Sequence, residues 1–240
     1  MKIKHYITTF FRFLIEANVI KTIVFNFRHM PFKVAIKLPI HLYGPIDLCN
    51  TVVGGVFFTS KLHFGGWKIG QTLGPTFGKT NSNHETTCLC VEGKLILGER
   101  GFIRNGCIVC IRKKAVVRIG DDFLMINRSK IIAQNSITIG NKVLISWESQ
   151  IFDSNCHYIY DSDGNVKRFT SPVFIGDYSW IGNRVTIIRA YIGNYSIVAS
   201  NSLVNKDFGD EDHCVYGGGT CKNDKERIFL PLLAKTICNK

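Results

Sequence analysis

The chain has 240 residues, the length of one large domain or two small ones. A hydrophobic share of 45% with a charged share of 20% excludes disordered and collagen-like chains. Thirty Lys and Arg against 18 Asp and Glu give a formal charge of +12. That balance favours an anionic partner without choosing among nucleic acid, a membrane surface and a phosphorylated small molecule.

The N-terminal segment, residues 1–50, opens on a basic stretch, Met1 to His5, with no apolar core or small-residue cleavage site of a secretory signal after it. Arg12, Glu16, Lys21 and Arg28 interrupt every apolar window long enough to span a bilayer, so no transmembrane helix is expected. Phe10, Phe13, Leu14, Ala17, Ile20 and Val24 recur at helical spacing, with Arg12, Lys21, Arg28, Lys33 and Lys37 between them. Two readings stand: a helix packed on the adjoining domain or on a neighbouring subunit, and a basic-aromatic surface resting on the inner leaflet of a membrane. Residues 50–90 are rich in Gly and aromatics and read as an irregular start to the repeating region downstream. The nine cysteines, with no signal before them, read as free thiols in a reducing cytoplasm, many of them buried. Cys107 and Cys110 have CxxC spacing, but Cys88 and Cys90 do not supply a second pair and no His follows at ligand distance, so no metal is expected.

From about residue 97 an aliphatic residue recurs every six positions. The series runs Leu97, Ile103, Val109; then Ile119, Met125, Ile131; then Ile139, Ile145, Ile151. It resumes with Ile175, Ile181, Ile187, and with Ile192, Val198, Val204. Gly follows Ile at 119, 139, 175, 181 and 192. A period of six fits neither a helix nor plain strand alternation. It fits a short strand and a tight turn, three such units to each coil of a triangular prism. The aliphatic residue of each unit then points inward and stacks on its equivalent one coil away. The small residue four places on (Ser179, Val185, Ser196, Ser202) fits the corner. Gly, Asn and Asp after the aliphatic supply turn conformations that other residues resist.

Residues 139 and 175 are too far apart for one coil, so an inserted loop lies at about 153–171. A loop leaving a rigid scaffold is where function concentrates. This one carries Asp153, Asn155 and His157. A lone loop His is usually a surface residue. Residues 223–240 read as a short C-terminal helix, interrupted at Pro231.

The hexads resemble those of the hexapeptide-repeat acyltransferases over about residues 91–222. The stretches 139–157 and 172–182 are similar to the sugar O-acetyltransferase branch, which includes the galactoside and maltose acetyltransferases and enzymes of surface-polysaccharide clusters. The resemblance implies an all-β fold, a left-handed parallel β-helix across residues 51–222. It implies a homotrimer, with acetyl-CoA as acyl donor and a sugar, polysaccharide precursor or lipid-linked sugar as acceptor.

It also implies roles. The family's general base is a His in the inserted loop, here His157. Imidazole can take a proton from an alcohol at neutral pH. A nearby carboxylate would orient it, and Asp153 is the candidate, with a turn-capping role for Asp153 an open alternative. Asn155 stands where the family motif has a second acidic residue. Oxyanion donors are sought among the backbone N–H groups of residues 180–183 and the Asn183 side chain. Trp180, Ala199, Ser200, Lys206 and Lys222 match positions that meet coenzyme A, the lysines facing its phosphates. Ala199 and Asn201 replace the glycines of the family's Gly-Ala-Gly-Ser, and Thr220 replaces a Pro before Lys222. Asn127 is a candidate for positioning the acceptor, or a turn Asn.

Other functions fit less well. A γ-class carbonic anhydrase shares the prism but needs three His as zinc ligands, and the recognisable coils supply only His157. A β-helix scaffold or sugar-binding module without catalysis is the non-enzyme alternative, and N-acylation of an amino sugar the enzymatic one. No nucleic-acid-binding motif accompanies the positive charge.

Overall fold

The computed structural model describes residues 10–72, 85–158, 160–166, 170–207, 211–217 and 220–223. Its body is the expected parallel β-helix. Each coil contributes one strand to each of three sheets. In chain order the strands are β1 (Ile40–Leu42), β2 (Ile46–Asp47) and β3 (Val56–Phe58); β4 (Trp67–Gln71), β5 (Thr87–Val91) and β6 (Lys94–Leu97); β7 (Gly101–Arg104), β8 (Ile108–Ile111) and β9 (Val116–Ile119); β10 (Phe123–Met125), β11 (Lys130–Ala133) and β12 (Ser136–Ile139); β13 (Leu144–Ile145), β14 (Gln150–Phe152) and β15 (Val173–Ile175); β16 (Trp180–Ile181), β17 (Thr186–Ile188) and β18 (Tyr191–Ile192); then β19 (Ile197–Val198), β20 (Leu203–Val204), β21 (Cys214–Gly217) and β22 (Thr220–Asn223). Every third strand pairs in parallel up to β20, β19 then pairs in parallel with β21, and among the described strands β22 alone turns back antiparallel, onto β21. The first strand precedes residue 51, because β1 and β2 lack the Ile-Gly signal yet pair with β4 and β5.

The register shows why the period is six. Ile103, Met125, Ile145, Ile181 and Val198 stand in one column of the first sheet. Val109, Ile131, Ile151, Ile187 and Val204 form a second column. Leu97, Ile119, Ile139, Ile175 and Ile192 form the third. All are buried. Each such side chain contributes roughly 1.5–3 kcal/mol on leaving water.

The corner between the third sheet and the first explains four of the five Ile-Gly pairs, the fifth, at Ile181, lying between the first and second sheets. After Ile119, Ile139, Ile175 and Ile192 comes Gly, then Asp or Asn. The side chain of that Asp or Asn reaches back one coil and accepts a backbone N–H. Asn141 Oδ1 accepts from Asp121 N at 2.9 Å, Asp177 Oδ1 from Asn141 N at 2.7 Å, Asn194 Oδ1 from Asp177 N at 2.8 Å and Asp212 Oδ1 from Asn194 N at 2.6 Å. The carboxylate must pass over the glycine of the preceding coil. A Cβ on Gly140 would lie 2.3 Å from Asp177 Oδ1. The next residue at this corner is left-handed, with φ of 55° at Asp122, 55° at Lys142, 57° at Tyr178, 54° at Tyr195 and 60° at His213. Tyr178, Tyr195 and His213 stack at 4.9 Å spacing, and the Lys142 ammonium sits 4.8 Å over the Tyr178 ring.

The N-terminal segment closes the open end of the first sheets. It forms α1 (residues 10–16), α2 (Val19–His29) and α3 (Phe32–Ala35). Asn18 caps α2 by accepting from Lys21 N at 3.1 Å. Thr22 and Asn26, one helical turn apart, meet the free edge of β1. Leu42 N donates to Thr22 Oγ1 at 2.9 Å, and Asn26 Nδ2 donates to Ile40 O at 2.7 Å. Lys21 Nζ donates to Ile46 O at 3.0 Å on β2. Phe13, Phe25 and Met30 are buried beneath this face. The opposite face is open to solvent: Ile15 is 81% exposed, Ile20 76% and Phe32 67%. No helix among the described residues is long and apolar enough to cross a membrane. Residues 224–240, where a C-terminal helix is expected, lie outside the described residues, as do residues 1–9.

Candidate active site

The inserted loop leaves the corner between the second and third sheets. Its neck is closed by Ser171 N donating to Asp153 O at 2.9 Å and by an antiparallel bridge between Ser154 and Thr170. Farther out, Tyr160 bridges Val166, and the tip turns on Asp161, whose carboxylate accepts from Asp163 N and Asn165 N at 3.0 and 2.9 Å. His157 stands on the outgoing arm, exposed, after the left-handed Cys156. Cys156 is fixed through its N–H to Ser154 Oγ at 3.0 Å and through Gln134 Nε2 to its Sγ at 3.1 Å. Among the described residues the imidazole has no hydrogen-bond partner, so neither nitrogen is committed to them.

Asp153 has other work. Its carboxylate is fully buried and accepts from Gln134 N at 2.8 and 3.1 Å and from Asn135 N at 2.6 Å. It caps the turn of the preceding coil directly beneath the loop. Burial raises its pKa, against the backbone N–H groups that favour the anion. No hydrogen bond joins it to His157, so the orienting carboxylate expected from sequence is replaced here by a turn cap that anchors the root of the loop.

Asn127 and Asn183 stand at a different corner, between the first and second sheets, while Lys206 follows β20 at the loop end of the second sheet. Asn127, Trp147 and Asn183 stack in register there. Glu148 N donates to Asn127 O at 3.0 Å, Arg184 N to Trp147 O at 3.1 Å and Asn201 N to Asn183 O at 3.0 Å. The Asn183 Oδ1 accepts from Ser200 Oγ, while its Nδ2 donates to nothing among the described residues. The Asn127 Oδ1 is buried and unpartnered. Beside this column runs a charge ladder. Arg128 Nε donates to Glu85 at 2.7 Å, and Arg184 Nε donates to Glu148 at 2.8 Å. The Arg184 guanidinium holds the Glu148 carboxyl below its ordinary range.

Two of the backbone N–H groups sought as oxyanion donors, those of Trp180 and Gly182, are spent. Trp180 N donates to Ser196 O at 2.9 Å and Gly182 N to Val198 O at 2.8 Å, since both lie in the coil-to-coil ladder. The Asn183 side chain keeps a free donor. Trp180 is half-buried on the outer face of the first sheet against Leu124, Ile126 and Leu144, and its Nε1 donates to Ser146 Oγ at 3.0 Å. Ala199 N pairs with Tyr216 O at 2.8 Å, Lys206 is exposed beyond β20, and Lys222 lies on β22 opposite Val215. Asn201 does adopt the left-handed conformation that the replaced glycine would have taken, with φ 58°. The hexad pattern does not single out Trp147, which is 44% exposed between Asn127 and Asn183. A large aromatic at a corner position that elsewhere holds Asn is the signal that marks it.

One chain therefore does not bring His157 to Asn127, Asn183 or Trp180. The corners are separated by the width of the second sheet, six residues of extended chain or roughly 15–20 Å.

No family model matches the chain. It is 26% identical over 119 residues to the galactoside O-acetyltransferase of Escherichia coli K12, covering 47% of this chain and 58% of that protein. It is 30% identical over 107 residues to a candidate acetyltransferase of Saccharomyces cerevisiae, covering 44% of this chain and 54% of that protein. The chain thus spans just over half the length of the curated relatives it matches. The solved polysialic acid O-acetyltransferase OatWY aligns at 20% identity and TM-score 0.47, over 78% of this chain and 87% of that one. The resemblance to sugar acetyltransferases with hexapeptide repeats, read from residues 139–157 and 172–182, is found again in these relatives.

Asp153→Ala should strand two backbone N–H groups at about 1–3 kcal/mol each and lower the melting temperature by several degrees. His157→Ala should leave it nearly unchanged. Equal melting curves for the two variants would remove the capping role from Asp153.

Proposed function

We propose that the chain is an acyltransferase that moves acetyl from acetyl-CoA to a hydroxyl of a sugar or polysaccharide precursor, with His157 as general base. The observation that carries this reading is His157 itself, an uncommitted imidazole held on a short, root-anchored loop above a rigid prism. In this mechanism His157 takes the proton as the acceptor oxygen attacks the thioester carbon, then returns it to the departing thiolate. The free Nδ2 of Asn183 is the donor for the oxygen that gains charge. Trp180, Ala199 and Ser200 line the path of the pantetheine arm, and Lys206 and Lys222 meet the phosphates. Similarity to the galactoside O-acetyltransferase supports the sugar acceptor.

The test is release of free thiol from acetyl-CoA across a panel of sugar acceptors. His157→Ala should lower turnover about a hundredfold or more, as loss of a general base does. Undiminished turnover would take His157 out of the mechanism. Activity confined to amino sugars would make the reaction N-acylation.

We place the active site between chains, because His157 and the Asn127–Asn183 corner lie on different edges of one prism. A homotrimer packs the loop edge of each prism against the other corner of its neighbour. Light scattering should give three times 27.1 kDa; a stable mass of one chain contradicts a shared site.

The exposed face of α1–α3 and the turn after it carry Ile15, Ile20 and Phe32 with Arg12, Arg28, Lys33 and Lys37, against Glu16 as the lone acid of residues 10–37. That pairing of apolar surface and positive charge supports an acceptor held at an anionic lipid surface. The chain should sediment with phosphatidylglycerol vesicles at low salt and not with phosphatidylcholine vesicles. Equal partitioning to both would remove the electrostatic part of this reading.

A further inference from the structure

The cysteines that sequence spacing leaves unrelated are brought together by the sheet register. Cys107 of the CxxC pair turns into the core, where its Sγ donates to Ile126 O at 3.2 Å, on the opposite side of β8 from Cys110, so the pair cannot share a metal ion. On the outer face of the second sheet a different set meets. Leu89 and Val91 of β5 point inward, which turns Cys88 and Cys90 outward. Asp47 of β2 stands opposite Cys88, and Cys110 of β8 stands opposite Cys90. Cys49 folds back over them from the turn after β2, held by its N–H to Asp47 Oδ1 at 3.0 Å.

The distances are those of a metal site before it is filled. Cys49 Sγ and Cys88 Sγ are 3.7 Å apart. A tetrahedral zinc ion with bonds of about 2.3 Å to sulfur sets its thiolates about 3.8 Å apart. A disulfide needs about 2.05 Å, which these sulfurs do not approach. The ligand atoms of Asp47, Cys49 and Cys88 all lie within 4.8 Å of one another. Cys90 adjoins them as a buried thiol whose electrostatic neighbours include both Cys49 and Cys110.

We infer that Asp47, Cys49 and Cys88, with Cys90 beside them on the same face of β5, form a binding site for a thiolate-preferring divalent metal of the zinc class. Thiolate and carboxylate together suit zinc over calcium or magnesium, which take oxygen ligands alone. The site ties the turn after β2 to β5, joining the first coil to the second. It lies three coils before the loop of His157, so it stands or falls apart from the proposed acetyl transfer.

The experiment is a titration of the reduced, metal-free full chain with Co(II), followed by Zn(II). One Co(II) per chain should give a thiolate charge-transfer band and the intense visible bands of tetrahedral cobalt, both abolished by equimolar Zn(II). Cys49→Ser and Cys88→Ser should each weaken binding at least tenfold, and binding should release protons. Cys156→Ser, which removes an exposed thiol outside the cluster, should change nothing. Absence of the charge-transfer band in the wild-type chain overturns the site without reliance on any variant. So does a Cys49–Cys88 disulfide persisting in reductant, or binding undiminished when Cys49 and Cys88 are both Ser.

Discussion

From Glu99 onward, each time the chain rounds the corner from the third sheet to the first, a backbone N–H finds its acceptor on the side chain of an Asp or Asn one coil later. Asp121, Asn141, Asp177 and Asn194 each give and receive in this way. The arrangement needs a glycine beneath every crossing side chain and a left-handed residue after it. Left-handed backbone costs an ordinary residue about 1–2 kcal/mol. The ladder and the stack of Tyr178, Tyr195 and His213 offset that cost at successive coils. Since one coil's side chain closes the previous coil's turn, the register cannot slip locally. The inward columns follow from that constraint.

That interdependence is why so much of the prism was legible in the sequence. An inward aliphatic, a glycine and an Asx residue are each demanded by a different part of one corner, and they recur together. β1 and β2 were not legible, because they are short and their corners use other means. The capping of β1 by Thr22 and Asn26 was hidden as well. Nothing in a helical stretch says that two polar residues one turn apart will serve a strand edge 14 to 20 residues away. The Asp47–Cys49–Cys88 cluster joins residues 39 positions apart, a distance set by coil length rather than by any motif.

The site residues were legible as residue types and only partly as geometry. His157 stands where an inserted loop should carry it. Asp153 faces the turn of Gln134 and Asn135, because a buried carboxylate seeks the backbone N–H groups nearest to it. The donors at Trp180 and Gly182 vanish into the ladder for the same reason: a parallel coil consumes the N–H groups of its strands. Among the described residues, hydrogen-bonding capacity survives at a corner and in the loop. Those are the places where Asn183 and His157 are found, on separate edges of the prism.

A β-helix has two ends, and each is a row of strand edges with unmet N–H and C=O groups. Left bare, such an end would accept the first coil of another molecule as readily as the next coil of its own. The contact would be head-to-tail and would not close, which is the geometry of a filament. Thr22, Asn26 and Lys21 occupy the starting edge, and at the far end of the described strands β22 lies antiparallel against β21. Both terminations are chemically unlike the middle of the prism. A cut between α2 and β1 would leave the coils intact and remove the barrier to their endless stacking.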